Sequence, residues 1–308
     1  MISDSLRAKR MSHIGASESA AILGINPYQT EYDVWLVKTS RAHIEVDNEV
    51  VAIGNMMESP LIDWVADIKG VRVIRNQYRV SKSIPILSAT HDALVKGDPE
   101  TFTRNATGIE AKTSGIGTGK THGWGDAGSE EIPEHYYVQC QHQMLVSNLD
   151  RVWVPALLVY KGRCLYEVER NDELIDIMSD VLPAWWNKHV VNDVQPTNST
   201  PSRDIIKYIN RVDKSTKPID GGRLEELIAA KEEIKQLTET CKSLECEVAA
   251  MTGDAEVGVA SGVGSVSYTK STRSSVDSKR LRADHPEIYA KMLRQTTVRT
   301  QRIRKETT

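Results

Sequence analysis

An acid, a second acid and a lysine in this 308-residue sequence are spaced to share one reaction. In Gly108-Ile109-Glu110-Ala111-Lys112-Thr113, strand alternation turns Glu110 and Lys112 to one face and Ile109 and Ala111 to the other. A carboxylate and an ammonium then stand side by side. Upstream, Ser88-Ala89-Thr90-His91-Asp92-Ala93-Leu94-Val95 places Asp92 at a strand–turn boundary, and a hairpin between the two segments would bring Asp92 to Glu110. Two carboxylates suit a hard divalent cation, Mg²⁺ or Mn²⁺, which accepts one or two acids and keeps water and substrate phosphate as its other ligands. Lys112 could then hold the attacking water and offset charge building on a phosphoryl oxygen. By itself Glu-x-Lys on an exposed strand is usually a solvated pair, so the surrounding elements decide.

Residues 71–75, 78–80, 86–89, 93–95 and 108–113 alternate with a period of two and read as successive short strands carrying the acids. Gly54-Asn55-Met56-Met57-Glu58 begins a helix in which Met57, Leu61, Trp64, Val65 and Ile68 share a face. Glu58 lies beside that stripe, where an inward acid needs a cation, a hydrogen bond or a metal-bound water. Pro133 opens another helix, on which Gln139 and Gln143 lie four apart and share a face with Tyr136. Such amides orient water or phosphate without adding negative charge. Near the N-terminus, Ser17 stands at an N-cap position and Gly24 just past the end of a short apolar helix. Its free N–H groups, the Ser17 hydroxyl and Arg10 could together hold a phosphate. The glycine-rich loop 114–128 is expected to be mobile, with Lys120 and Trp124 placed to meet a DNA backbone or an exposed base.

The net charge of −3 and a pI near 6.3 exclude a globally basic nucleic-acid footprint, so a DNA surface has to be local. No apolar run approaches a membrane span and no signal-peptide core opens the chain, so a cytoplasmic protein without a membrane partner is expected. Cys140, Cys164, Cys241 and Cys246 form no Cys-x-x-Cys pair, which argues against zinc or iron–sulfur chemistry and for reduced thiols. Residues 196–222 are rich in Pro, Thr, Ser and Asn and read as a linker. Within 223–252, Leu227, Ala230, Ile234, Leu237, Cys241, Leu244, Val248 and Met251 recur at alternating spacings of three and four, a heptad seam. The tail 253–308 reads as a hairpin, a helix over 285–294 and a strand over 297–304. It carries eleven Lys or Arg against six Asp or Glu, a sign opposite to the whole chain and suited to a nucleic-acid backbone.

Taken in order, Arg10…Ile14-Gly15-Ala16-Ser17, Gly54-x-x-x-Glu58, His91-Asp92-Ala93, Glu110-x-Lys112 and Tyr136-x-x-Gln139-x-Gln141 resemble the lambda-exonuclease-type, or YqaJ-like, viral recombinase family of PD-(D/E)xK nucleases. The resemblance covers roughly residues 8–190. It implies an α+β (α/β) fold with a restriction-endonuclease-like core over 1–195, a mixed central sheet flanked by helices, followed by a helical arm and a small α/β tail. It implies that Asp92, Glu110 and the Ala111 carbonyl bind metal, that Lys112 assists the nucleophile, and that Glu58 reaches a second metal or its water. Gln139 would position water or phosphate, Arg10 and Ser17 would receive a 5′-terminal phosphate, and Tyr136 and Gln141 belong to the DNA-binding set. The family pattern commonly has Ser-Pro-Asp-Gly at the first acid, where this chain has Thr90-His91-Asp92-Ala93.

The activity so implied is Mg²⁺-dependent 5′→3′ digestion of linear double-stranded DNA to leave a 3′ overhang for a single-strand annealing partner. A toroidal homotrimer and a phage or prophage origin, acting in the bacterial host cytoplasm, follow from the same resemblance. Two rivals use the same residues differently: a structure-specific or restriction-type endonuclease on this core, and a noncatalytic DNA-binding recombination scaffold built on the heptad arm and basic tail.

Overall fold

Seven strands join in one mixed sheet among the residues that the computed structural model describes, which are 9–43, 49–96, 107–115, 123–159, 161–212, 214–272 and 274–293. All seven belong to the first of two units, Met1–Arg211 and Val212–Thr308. The central strand on one side is β3 (Leu87–Val95), with β2 (Val73–Val80) antiparallel along one edge. Its other edge is shared by β1 (Ile14–Gly15), parallel, and β4 (Thr107–Ile109), antiparallel. Farther across, β6 (Arg151–Leu158) pairs in parallel with both β4 and β5 (Lys112–Ser114), and antiparallel with β7 (Gly162–Glu169).

Helices cover the sheet, as expected of a mixed α+β core. Val138, Cys140 and Met144 of α4 (Glu134–Ser147) pack with Ile175, Met178 and Leu182 of α5 (Asp172–Trp185) against Leu87, Val152, Val154 and Tyr166. A separate cluster sets Ile62 and Val65 of α3 (Glu49–Lys69) against Ala93, Ile109 and Trp153. Two shorter helices, α1 (Ala16–Ile22) and α2 (Glu31–Lys38), complete the layer. Thr30 and Asp33 cap α2 reciprocally, each side chain accepting the other's backbone N–H.

Several sequence expectations shift. The first acid does not sit at a strand–turn boundary: residues 87–95 run on as one strand, because Thr90-His91-Asp92-Ala93 supplies neither the proline nor the glycine that would turn the chain. α3 starts at Glu49 rather than Gly54, and it buries Leu61, Ile62 and Val65 while Ile68 is exposed. The stretch expected to begin a linker at 196 is docked onto the first unit. Thr200 accepts from Thr30 at 2.9 Å, Ser202 donates to Asp33 at 2.9 Å, Asn210 donates to the Arg41 carbonyl at 2.7 Å, and Ile205 is buried. Its polar residues answer protein groups rather than solvent, so the unit extends to Arg211.

In the second unit, α6 (Gly221–Thr252) is a 32-residue helix capped by Asp220, followed by a hairpin of β8 (Val257–Ala260) and β9 (Gly264–Ser267). A helix that was not expected, α7 (Ser278–Asp284), precedes the one expected over 285–294, which is α8 (Pro286–Met292); Pro286 keeps His285 out of helical geometry and so separates them. The strand expected over 297–304 lies outside the described residues. No helix among the described residues is long and apolar enough to cross a membrane.

Candidate active site

A missing hydrogen-bond donor shapes the site. β4 and β5 follow β6 in one register, Ile109 opposite Trp153 and Lys112 opposite Ala156, and would be a single strand but for Pro155. In that register the N–H of residue 155 would meet the Glu110 carbonyl, and proline has no N–H to give. The ladder therefore opens at Glu110 and Ala111. Glu110 keeps its own N–H on the Trp153 carbonyl at 3.0 Å, while the Ala111 N–H turns to β3 and donates to Asp92 Oδ2 at 2.8 Å.

β3 is open at the same level. β1 pairs only with residues 87–88 and β4 only with 93–94, so residues 89–92 face no strand on that edge. Side chains of α4 supply donors along this edge instead: His142 Nε2 donates to the Ser88 carbonyl at 3.1 Å and Gln143 Nε2 to the Thr90 carbonyl at 3.3 Å. A carbonyl can only accept, so His142 Nε2 carries the ring proton and its Nδ1 accepts the Ser19 hydroxyl at 2.6 Å. Burial takes the His142 pKa down to about 4 and that of His91, bonded to Ser147 at 2.7 Å, to about 4 as well. Both imidazoles are neutral pins that hold α4 to β3.

Glu110 is the hub, only 5% exposed. Its Oε1 accepts from Lys112 Nζ at 2.7 Å and from Gln139 Nε2 at 2.5 Å, and its Oε2 from Gln143 Nε2 at 2.6 Å. Lys112 gives a further bond to Gln139 Oε1 at 3.2 Å and lies 4.7 Å from the centre of the Tyr136 ring. Burial works against the Lys112 ammonium, but the Glu110 and Asp92 carboxylates outweigh it and hold the pKa above its ordinary value. Asp92 is pushed well above the usual carboxylate range by burial and by the Glu110 charge, with Lys112 and the Ala111 N–H opposing. Glu58 joins from α3 on the stripe it shares with Leu61, Ile62 and Val65. Burial and Glu110 raise its pKa, while Arg75 and Lys112 pull it back.

The centre is therefore rich in oxygen donors and short of positive charge, which is the setting a hard cation fits. Among the described residues no three Asp, Glu, His or Cys side chains draw together into a ready cage. A cation taking one or two carboxylates and keeping its water needs none.

The structure brings Glu58, Asp92, Glu110, Ala111, Lys112, Gln139 and Tyr136 together, and three other expectations need correcting. Gln141 points away: it is fully buried, donating to the Glu169 carbonyl at 2.7 Å and accepting the Asn171 N–H at 2.8 Å, so it ties α4 to β7 and α5. Trp124 is buried against Tyr136 and Tyr166 and offers no face to a base. Ser17 is exposed but is not the N-cap; Gly15 is, and Glu18 accepts its N–H at 2.7 Å while pairing with Lys38 at 2.8 Å. Arg10 lies outside the Glu110 cluster, its carbonyl held by Lys38 at 2.7 Å. Lys120 lies outside the described residues. The residue passed over as a site residue is Gln143, which its position one turn beyond Gln139 already marked.

With this geometry in hand, the chain can be set against known proteins. Residues 5–150 match the family model of the YqaJ-like viral recombinase domain. The matched stretch contains every member of the Glu110 cluster, whereas Pro155, which opens its ladder, lies just beyond it. A Bacillus subtilis (strain 168) protein described as uncharacterized protein YqaJ is 26% identical over 311 residues, covering 97% of this chain and 93% of its own. Among solved structures, the alkaline exonuclease LHK-Exo of Laribacter hongkongensis aligns over 62% of this chain and 94% of its own, with 16% identity and a TM-score of 0.46. The same protein in complex with dAMP gives 17% and 0.47 over the same shares. A phage-related exonuclease of Haemophilus somnus gives 13% and 0.39, over 59% and 96%.

Proposed function

We propose that the first unit is a Mg²⁺-dependent exonuclease that digests linear double-stranded DNA in the 5′→3′ direction, leaving a 3′ single strand for an annealing partner. The observation that carries the reading is the convergence of Asp92, Glu110, Lys112 and Gln139, all within the matched stretch, at the opening made by Pro155. Polarity, overhang and assembly as a homotrimer rest on the family resemblance alone.

Asp92, Glu110 and the Ala111 carbonyl would hold the cation, with Glu58 at its margin; when bound, it supplies Lewis-acid charge and makes water a better nucleophile at neutral pH. The protein's own groups do the rest. Lys112, kept protonated by two carboxylates, is a fixed positive charge for a phosphoryl oxygen rather than a base. Gln139 bonds both Glu110 and Lys112 and so fixes their separation, and Gln143 holds the far oxygen of Glu110. Tyr136 covers the ammonium with its ring and excludes water from that side. A 5′ phosphate would meet the side chains of Arg10 and Ser17 near the start of α1, where Glu18 holds the Gly15 N–H.

The test is digestion of one DNA in linear and closed-circular forms with Mg²⁺, the linear 5′ ends phosphorylated or not, and Lys112→Ala as control. Loss of the linear form alone, fastest with 5′ phosphate and absent in the variant, is the expected result. Cutting of circles would replace the exonuclease with an endonuclease, and no cutting of either would leave a DNA-binding scaffold.

A further inference from the structure

α6 is a long helix with no buried residue. Helices in water owe most of their stability to an apolar face packed on something, and nothing described in this unit covers this one. Ile234, Leu237, Leu244 and Met251 are 63%, 57%, 52% and 82% exposed. The outward face is already solvated by its own ion pairs, Glu232 with Lys235 and Glu239 with Lys242. The apolar residues recur as heptads, with Leu227, Ile234, Cys241 and Val248 at the first core position and Ala230, Leu237, Leu244 and Met251 at the second.

We propose that α6 pairs with α6 of a second copy of this chain as a parallel, in-register, two-stranded coiled coil. Three features of the sequence choose this occupant. Ile and Val at the first core position with Leu at the second favour two strands over three or four. In a parallel pair the flanking positions set Glu226 opposite Lys231 of the other copy, and the remaining pairs join Glu to Thr, so no like charges meet. An antiparallel pair would gain Lys231 against Glu245 but set Glu233 against Glu247, cancelling the gain. The charges thus prefer a like helix, running the same way.

The chain carries its own probe of this arrangement. In register, Cys241 of each copy occupies the same core layer, whereas Cys246 falls on the outer face, and both are exposed in the single chain. Cys140 and Cys164 are buried in the other unit. The experiment uses the reduced full-length chain treated with diamide, which takes two electrons and two protons from a thiol pair as the S–S bond forms. The product is read on a denaturing gel. The Cys246→Ser variant is expected to crosslink into pairs almost completely and Cys241→Ser to remain single. Adding Leu237→Glu to Cys246→Ser should slow crosslinking at least about tenfold.

Equal crosslinking of the two cysteine variants, or none in Cys246→Ser, would overturn the proposal. So would a plateau near about two thirds of the chains, since three parallel strands leave one cysteine in three without a partner. In a homotrimer of nuclease units α6 pairs between trimers rather than within one, so every Cys241 still meets a partner and near-complete crosslinking is still the expected result.

Discussion

Glu110 and Lys112 hold one another at 2.7 Å, and Glu239 and Lys242 at 2.9 Å. By distance the two pairs are alike. By surroundings they are opposites, with side chains 6% and 14% exposed in the first pair and 65% and 61% in the second. In water an ion pair is screened and contributes roughly 0.2–1 kcal/mol, whereas breaking a buried one strands a charge at about 3–5 kcal/mol. The sheet pair is also shared with Gln139, Gln143 and Tyr136, while the helix pair has only solvent around it. What makes a Glu–Lys pair chemical is therefore not its spacing but the removal of water and the further groups that fix it.

The largest effect should come from emptying the buried pair. Lys112→Ala leaves Glu110 and Asp92 facing each other without an ammonium, and cleavage of linear DNA should fall by more than about 10³-fold. DNA binding, read by gel shift in Ca²⁺, should persist. Full activity would show the pair to be as inert as the one on α6.

Protons should separate the two regions next. His91 and His142 are held at about 4 in the folded unit against an ordinary 6.5. Above pH 6.5 neither the folded nor the unfolded chain takes these protons. As the pH falls through 6.5 the unfolded chain binds them first, so stability drains away until about pH 4, where the folded form binds them too. Two such groups amount to several kcal/mol, about 1.4 per pH unit for each. Asp92, held above its ordinary value, works the other way and gains stability on acidification. The urea midpoint of the first unit should thus fall between pH 6.5 and 4, and more steeply in Asp92→Asn. A flat profile in that variant would remove the buried-imidazole account.

A metal should distinguish the regions as well. At 100-fold excess over its dissociation constant, Mg²⁺ or Mn²⁺ should stabilise the first unit by about 2.7 kcal/mol, read as a rise in its melting temperature, with no rise in Asp92→Asn. An equal rise in both proteins would place the ion elsewhere. Smaller again is Gln143→Ala, which leaves Glu110 Oε2 and the Thr90 carbonyl without that donor. A loss of about 1–3 kcal/mol in the urea midpoint is expected, together with slower cleavage. Unchanged stability and rate would reduce Gln143 to packing.

Much of this centre was legible in the sequence, and the gaps have physical causes. Alternation alone placed Glu110 and Lys112 on one side, and the apolar stripe of α3 set Glu58 beside it, where an inward acid needs a partner. Asp92 was found, but its strand was cut short by an expected turn that Thr90-His91-Asp92-Ala93 does not make. Pro155 was invisible because its effect is on the neighbouring strand: a proline in β6 reads as an oddity until its register against Glu110 is known. Gln141 and Gln143 differ by two positions on a helix, which is most of the way to its opposite face, so choosing between them needs the helix rotation and not only the motif. Trp124 was misread because six glycines around it suggested mobility, whereas its indole is an anchor for Tyr136 and Tyr166. Residues 196–211 looked like linker because polar composition does not tell solvent from a polar partner.

The smallest expected effect closes the comparison from its other side. Lys242→Ala breaks the exposed pair three residues apart on α6, where both side chains point away from the heptad seam. Whether α6 is single or paired, Glu239 then faces water, so no charge is stranded and the loss should stay below about 0.5 kcal/mol in a thermal melt. Alanine is also the better helix former, which trims even that. A loss of several kcal/mol would mean that Lys242 is covered by something, and the outer face of the helix, rather than its seam, would become the surface to explain. A null result would leave the two pairs, alike in distance and chemistry, separated by the full range that burial can create.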